Sequence, residues 1–569
     1  MRVPDVPDLP STCDLLVVGS GAAGMAAAIS ARHRGLNPVI IEKSDFFGGS
    51  TAVSGGAIWV PGNTLMQEIG LTDDRNAARR YIQREAGNLF NPELVDAFLD
   101  TGPEAIRFFH EKTALQMAAR PVSPDYHPDQ DGAKEGGRAI DALDYDGRKL
   151  GKNLYRMRPP IIDFTILGGM PLGRSDIYHF LHLTRSRKSA AHAVRKVLGY
   201  VRDRMTWGRN TRLVMGAAVS GRLAETVFEL GIPLCTGHEL IRLVEDGEGR
   251  VVGAEVKGPK GLVTITAKRG VVLAAGGFPH DTTRRRETFD HVKRGLPHYS
   301  MSPLTGTGGA ITAAENIGAA FIDNNSNGGF WTPVSLLRNP DGTMRPFPHL
   351  FLDRAKPGVI AVGHDGKRFT NEASSYHDFV QGMIGKLLQE GQRSAWLVAD
   401  HYAIRRYGLG AAHAFPASIT GHIRSGYVKK ARTLDELARQ CGIVSGELEK
   451  TIAAFNAAAT RGEDEEFGKG STTYQRYLGD LENKPNPCLR PLEGPFYAIE
   501  IFPGDIGTTM GLAITAKGQV KKQNGDVIPG LYACGNDINS IMSGAYPGPG
   551  ITLGPALTFG YIIGETAAA

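Results

Sequence analysis

Residues 14–42, DLLVVGSGAAGMAAAISARHRGLNPVIIE, decide the fold. The apolar run 15–18 reads as a buried strand, and Gly19-x-Gly21-x-x-Gly24 follows it as a turn. An alanine-rich helix comes next, and residues 39–41 form a second apolar strand ending on Glu42. This is one βαβ unit built for a dinucleotide. The first glycine allows the tight turn, the second lets backbone approach a pyrophosphate, and the third lets helix and strand pack closely. The helix N-terminus, with Ala22 and Ala23 in its first turn, offers N–H groups to phosphate, and Glu42 can accept from a ribose diol.

Outward from this unit, 569 residues exceed one ordinary core, and 72 glycines predict many tight turns and close backbone approaches. Charged residues make up 22% of the chain and hydrophobic residues 41%, the balance of a globular protein. Five scattered cysteines without CxxC spacing argue against a disulfide framework or a zinc site, so no metal is expected. The opening MRVPDVPDLPSTCD lacks the apolar run of a secretory signal, and no apolar stretch reaches membrane-spanning length. A cytoplasmic location is expected, with attachment to the inner face of the cytoplasmic membrane as the one exception, raised by a basic stretch in mid-chain.

Three further segments repeat the glycine-rich theme: FFGGSTAVSGGAIWVPGN (46–63), VVLAAGGF (271–278) and GLYACGN (530–536). With the βαβ unit they resemble the flavoproteins of the fumarate reductase and succinate dehydrogenase superfamily. The resemblance implies FAD, held by Gly19, Gly21, Ala22, Ala23, Gly24, Glu42, Lys43, Gly49, Ser50, Thr51, Ser54, Gly55, Gly56, Ala275, Gly276, Gly277, Gly535, Asn536 and Leu553. Covalent members carry a flavin-linked histidine in the segment matching GGSTAVSGG, where this chain has Ser50; the FAD is therefore expected to be noncovalent.

Near the C-terminus, YPGPG (546–550) sets a phenol beside a Pro-Gly turn, so that two donors could converge on one oxygen. This motif resembles that of the 3-ketosteroid Δ1-dehydrogenases. DGKRFTNEASSYHDFV (365–380) resembles the family segment bearing the catalytic base, which falls on Tyr376, and PDYHPDQDGAKEGGR (124–138) resembles the early tyrosine segment, with the assisting residue at Tyr126. The last match departs from the family's shorter pattern. The implied reaction removes two hydrogens from adjacent ring carbons. Tyr546 and the Gly550 amide bind the ketone, Tyr376 takes the C2 proton with Tyr126 assisting, and the C1 hydride passes to FAD N5. An ordinary tyrosine titrates near 10, so the base is either a tyrosinate favoured by its surroundings or a phenol that relays its proton.

Fumarate reduction is the competing reading, but PGDIGTTMGL (503–512) has Gly507 where such reductases carry a histidine. Dehydrogenation at Δ4 competes as well, and so does a flavin-binding scaffold without activity. Residues 174–212 hold ten Lys or Arg against two Asp. Within the insert 168–212, Ile177, Phe180, Leu181 and Leu183, then Val194, Val197, Leu198 and Val201, recur at helical spacing, which allows either a packed surface helix or contact with an anionic membrane through Trp207. Nothing accompanies this charge that would suit a nucleic acid. Membrane contact would suit a sterol retaining its side chain, such as cholest-4-en-3-one. The fold expected is α/β: a Rossmann-like FAD domain split between 1–328 and 507–569, and a mixed α/β catalytic domain over 329–506. Residues 430–480 read as helical and peripheral. The electron acceptor and the oligomeric state are not legible.

Overall fold

The computed structural model describes residues 6–569. The strand Thr12–Val18, the helix Ala22–His33 and the strand Pro38–Glu42 stand where the first motif puts them. All five residues of Pro38–Glu42 are buried, as in a parallel sheet covered on both faces. Its eight-stranded sheet runs Leu234–Thr236, Pro38–Glu42, Thr12–Val18, Gly261–Leu273, Val251–Gly258, Glu239–Glu245, with Val527–Ala533 added in parallel to Gly261–Leu273 and Gln519–Lys521 beyond it. Register brings Ile41, Val18, Leu273 and Ala533 level at the carboxyl ends of four parallel strands. The glycine segments after residues 18, 273 and 533 therefore open at one edge, where ligands of open α/β sheets bind.

Small side chains bring the elements together. Ala22–His33 is buried from Ala22 through Ala31, and the long apolar helix Leu553–Ala568 crosses it. Gly560 and Gly564, one turn apart, face Ala23 and Ser30, and the Ser30 hydroxyl donates to the Tyr561 carbonyl at 2.8 Å. A Cβ on Gly564 would stand 2.3 Å from the Ser30 oxygen, so this crossing depends on glycine.

A second, seven-stranded sheet is ordered Met344–Pro348, Gly329–Arg338, Phe496–Thr508, Ala395–Asp400, Val359–Val362, with Tyr299–Ser300 and Lys429–Ala431 also pairing onto the long strand Phe496–Thr508. The helix Tyr376–Glu390 packs on Gly329–Arg338. Its first turn is capped by Ser375, whose side chain accepts from the Asp378 amide at 3.1 Å, a cap worth about 1 kcal/mol. Gly391, left-handed at φ 65°, ends it.

The basic insert forms two helices, Arg174–Leu181 and Arg187–Trp207. The second turns Ser189, Ala193, Tyr200 and Asp203 inward and leaves Val194, Leu198, Val201 and Met205 exposed, Met205 at 81%. Its apolar stripe thus faces solvent, the reverse of a packed surface helix. Trp207 does not join that stripe: it is half-buried, stacks on Tyr155 at 6.5 Å and accepts the Tyr155 hydroxyl at its carbonyl, which corrects its expected place at a membrane interface. No helix among the described residues is long and apolar enough to cross a membrane.

Candidate active site

One cavity of about 900 Å³ runs from the glycine edge of the first sheet to the junction with the second. At the glycine end, Gly19 adopts φ +110° beneath the Ala274 carbonyl, and a Cβ on Gly24 would lie 2.0 Å from the Gly19 oxygen. That contact permits no larger residue. Gly21 and the start of the helix line the cavity with no cap bond from the N-cap residue and no acid in the first turn, the arrangement that suits phosphate oxygens. Thr51 fixes this turn by accepting from the Ala22 amide at 3.0 Å. Glu42 is buried; its carboxylate accepts from the Ser20 hydroxyl at 2.6 Å and the Ser44 amide at 2.9 Å, which aims it along the cavity wall.

Of the residues expected to hold FAD, Gly49, Ser50, Thr51, Ser54, Gly55, Gly56, Ala275, Gly276, Gly535, Asn536 and Leu553 line this cavity together with Gly19, Gly21, Ala22, Ala23 and Glu42. Three do not. Gly24 lies inside the turn, and Gly277 packs on Thr508 and donates to Asp537. Lys43 turns away to Thr307 at 3.0 Å and Glu239 at 2.8 Å, because the strand ends at Glu42 and alternation sends the next side chain outward. Sequence reasoning misses Asp537, although it directly follows GLYACGN. Fully buried, it accepts from the Ala275 and Gly277 amides and ties the two glycine segments together; burial pushes its carboxyl up to about 6 against those hydrogen bonds. The cradle, with its bare backbone, a helix start free of acids and an acid at the second strand's end, fits FAD.

At the other end, Tyr126, Tyr376 and Tyr546 meet, all buried and all facing the cavity. The Tyr126 hydroxyl donates to the Tyr376 hydroxyl at 3.2 Å. Tyr126 and Tyr546 stack with centroids 5.4 Å apart, and Tyr376 meets Tyr546 edge-on at 5.2 Å. Such pairs contribute about 0.5–1.5 kcal/mol each beyond the area they bury. Gly550 lines the cavity beside them at φ +104°, where a Cβ would collide with the Ala57 carbonyl.

Each tyrosine is held by its own segment. The Tyr126 amide donates to the Pro547 carbonyl at 2.9 Å, and Tyr81 donates to the same oxygen at 2.7 Å, which ties the early loop to YPGPG. Asp125 accepts from Trp59 at 2.8 Å and Arg138 at 2.7 Å; burial raises it to about 6 despite Arg138. Tyr376 opens the capped helix of the second sheet. His127 pairs with Glu85 at 2.7 Å and, across to the helix Tyr376–Glu390, with Asp378 at 2.9 Å. Burial works against the charged ring, but these two carboxylates outweigh it and raise His127 to about 10.

Burial also sets the state of the phenols. It holds Tyr376 and Tyr126 well above the usual tyrosine value, with neighbouring phenols adding to the effect, and it raises Tyr546 to about 12. Beside Tyr376, burial pushes His377 down to about 4, so that ring is neutral at neutral pH. The junction is an array of neutral phenols. Of the two ways a tyrosine could act as base, this geometry favours the relay. Tyr474, in the segment read as peripheral, extends the array: it lines the cavity, and its ring centre lies 4.7 Å from that of Tyr126. No motif marks it; only the tertiary fold brings the helix Thr473–Leu478 here.

Comparison with known proteins shows the family. The chain matches the FAD binding domain family over residues 14–553. It is 40% identical over 560 residues to a 4-oxocyclohex-2-ene-1-carboxylate 5-dehydrogenase of Sinomonas cyclohexanicum, covering 98% of this chain and 94% of that one. It is 36% identical over 595 residues to a 3-oxosteroid 1-dehydrogenase of Mycolicibacterium smegmatis, covering 98% of each. Among solved structures, the 3-ketosteroid Δ1-dehydrogenase of Sterolibacterium denitrificans in complex with 1,4-androstadiene-3,17-dione superposes with a TM-score of 0.89 at 32% identity, over 98% of this chain and all of that one.

Proposed function

The chain belongs to the FAD-binding flavoprotein family that includes the 3-oxosteroid 1-dehydrogenases, and we propose that it is an FAD-dependent oxidoreductase that introduces a C=C bond beside a ring ketone, with 3-ketosteroids as substrates. The observation that carries this reading is the meeting of Tyr126, Tyr376 and Tyr546 in the cavity that also holds the dinucleotide cradle.

In this reading the ketone oxygen sits against the Tyr546 hydroxyl and the Gly550 amide. Donors fixed in a buried site stabilise the charge that develops on that oxygen and so acidify the neighbouring C–H. Tyr376 receives the proton as its own passes to Tyr126 and Tyr126 releases one to solvent in the cavity, the two hydroxyls exchanging the donor and acceptor roles they hold at rest, a step that suits phenols held neutral by burial. FAD, when bound, supplies the two-electron acceptor for the hydrogen leaving the adjacent carbon. The division into 1–328 with 507–569 and 329–506 gives the two bodies separate roles. The first brings the cradle, Tyr126, Tyr546 and Gly550; the second brings Tyr376.

A one-ring keto acid, as named for the Sinomonas relative, asks the same chemistry of the same groups and is the second reading. Anaerobic mixing of the holoenzyme with androst-4-ene-3,17-dione, cholest-4-en-3-one or 4-oxocyclohex-2-ene-1-carboxylate, followed by flavin absorbance, tests the proposal and ranks the substrates. Bleaching that disappears in Tyr376→Phe is expected. Silence with all three, and reoxidation of reduced protein by fumarate, would move the chain to the reductase side. The product's double-bond position separates Δ1 from Δ4 chemistry.

The exposed stripe Val194, Leu198, Val201 and Met205, set among Arg195, Arg202 and Arg204, supports contact with an anionic bilayer surface. Flotation with anionic vesicles that Leu198→Glu abolishes is expected; equal flotation of both proteins would exclude this helix as the contact.

A further inference from the structure

The cavity continues past the tyrosines to a charged wall that the dehydrogenation chemistry does not use. Arg120, Asp141, Asp144 and Arg174 line it, the last from the start of the insert helix. Most of this charge is already matched. Arg120 meets Asp141 through two hydrogen bonds, from Nε at 2.8 Å and from a terminal nitrogen at 2.5 Å. Asp144 accepts two bonds from Arg212. Arg174 has much less. Its side chain is 41% exposed, and its polar contact is a 3.4 Å approach to the Asp141 oxygen that Arg120 Nε already holds. Partial burial, and then the neighbouring Arg120 cation, push the Arg174 guanidinium below its usual value. A planar fork with unused donors, facing a ligand cavity, suits a carboxylate.

Its distance from the reacting end can be read along one helix. The Arg174 guanidinium lies over the Tyr477 ring, 5.6 Å from its centre, and Tyr474, three residues earlier on the same helix, packs on Tyr126. One turn of helix plus these contacts puts Arg174 on the order of 10 Å from the tyrosine junction. Arg174, Tyr546 and Gly550 line the same cavity, so a ketone bound at Tyr546 and Gly550 has Arg174 within reach of the rest of the molecule.

We propose that Arg174 is a specificity-determining residue that binds a carboxylate on the substrate, so that the substrate class is a cyclic ketone carrying an acid at the end away from the ketone. This rests on the reading of the tyrosine junction as a ketone site. Two sources carry such an acid, a one-ring keto acid and a ketosteroid with an acidic side chain; their carboxylates stand at different distances from the ketone, so Arg174 reads one of them. With the carboxylate engaged there, Asp141 stays with Arg120, and the Arg174 cation gains the anion it lacks.

The test compares acids with their own methyl esters on FAD-loaded protein. The pairs are 4-oxocyclohex-2-ene-1-carboxylate and 3-oxopregn-4-ene-20-carboxylate, each with its ester, with androst-4-ene-3,17-dione as the uncharged reference. In the wild type, at least one acid should exceed its ester in kcat/KM, mainly through KM. Arg174→Gln should cut that acid-to-ester ratio by about tenfold or more, and Arg174→Lys should restore part of it. Flavin content of each variant reports folding independently of rate. A preference confined to the one-ring acid or to the steroid acid identifies the source, and either supports the proposal. Turnover in which both acids match their esters, or a ratio that Arg174→Gln leaves unmoved, overturns the role of Arg174 and leaves the dehydrogenation reading intact. No turnover of any of the five compounds overturns both.

Discussion

The two ends of the cavity are made in opposite ways. The cofactor cradle is made by leaving side chains out: Gly19 and Gly24 touch through backbone, and Asp537 works by holding two other backbone segments. The tyrosine junction is made by putting side chains in: three phenols from segments centred 250 and 170 residues apart meet with their hydroxyls buried. An added atom should therefore ruin the first end, while a lost oxygen should silence the second without disturbing its packing.

The hardest test of this contrast is Gly24→Val, which puts carbon 2.0 Å from the Gly19 oxygen. It should abolish flavin-bound protein, measured as the flavin-to-protein absorbance ratio; a normal ratio would mean the turn can open. Tyr376→Phe should keep full flavin content and the wild-type melting temperature, yet lose about 10²–10⁴ in kcat, the usual worth of a proton-transferring group. A loss of only a few-fold would shift the proton transfer onto Tyr126. Tyr546→Phe should cost about 10²–10³ in kcat, the range found for one oxyanion donor. If its effect falls on flavin binding instead, the two ends are not separate.

The smallest effect concerns the clamp between the bodies. His127 titrates at about 10 in the folded protein against an ordinary 6.5, so its pairing with Asp378 and Glu85 stabilises fully below 6.5 and is lost as pH rises through about 10. Asp378, which burial opposes but His127 holds below the ordinary 3.8, loses its share as pH falls through that range. His127→Gln should flatten the fall in melting temperature on the alkaline side. An unchanged alkaline slope would show that this pairing does not contribute to stability.

The same contrast explains what the chain reveals without its fold. The cradle is legible because its signal is local: a strand, three glycines at fixed spacing and an acid lie within thirty residues, and the physics of the turn allows few other residues. Asp537 is within reach for the same reason, one position beyond GLYACGN. Tyr376 and Tyr546 are legible only by resemblance, since a single tyrosine carries no period or spacing of its own. Tyr474 and Arg174 cannot be found in that way. Their roles come from which element packs beside the cavity, and the short helix Thr473–Leu478 differs in no local respect from a peripheral one. The insert leaves two readings open for a related reason: its helical spacing is real, but spacing does not say which face turns inward.

The level ends of the four parallel strands carry one more consequence. The cradle needs Gly19, Gly276 and Gly535 at one edge, and the helix Leu553–Ala568 must close over Ala22–His33. A ribosome delivers the first of these segments more than five hundred residues before the last. Until residues 530–568 have emerged, the first βαβ unit has neither the last strand of its parallel set nor its covering helix. Flavin capture should thus wait until residues 530–568 have emerged, and a nascent product truncated before them should be colourless however much of its N-terminal half has folded.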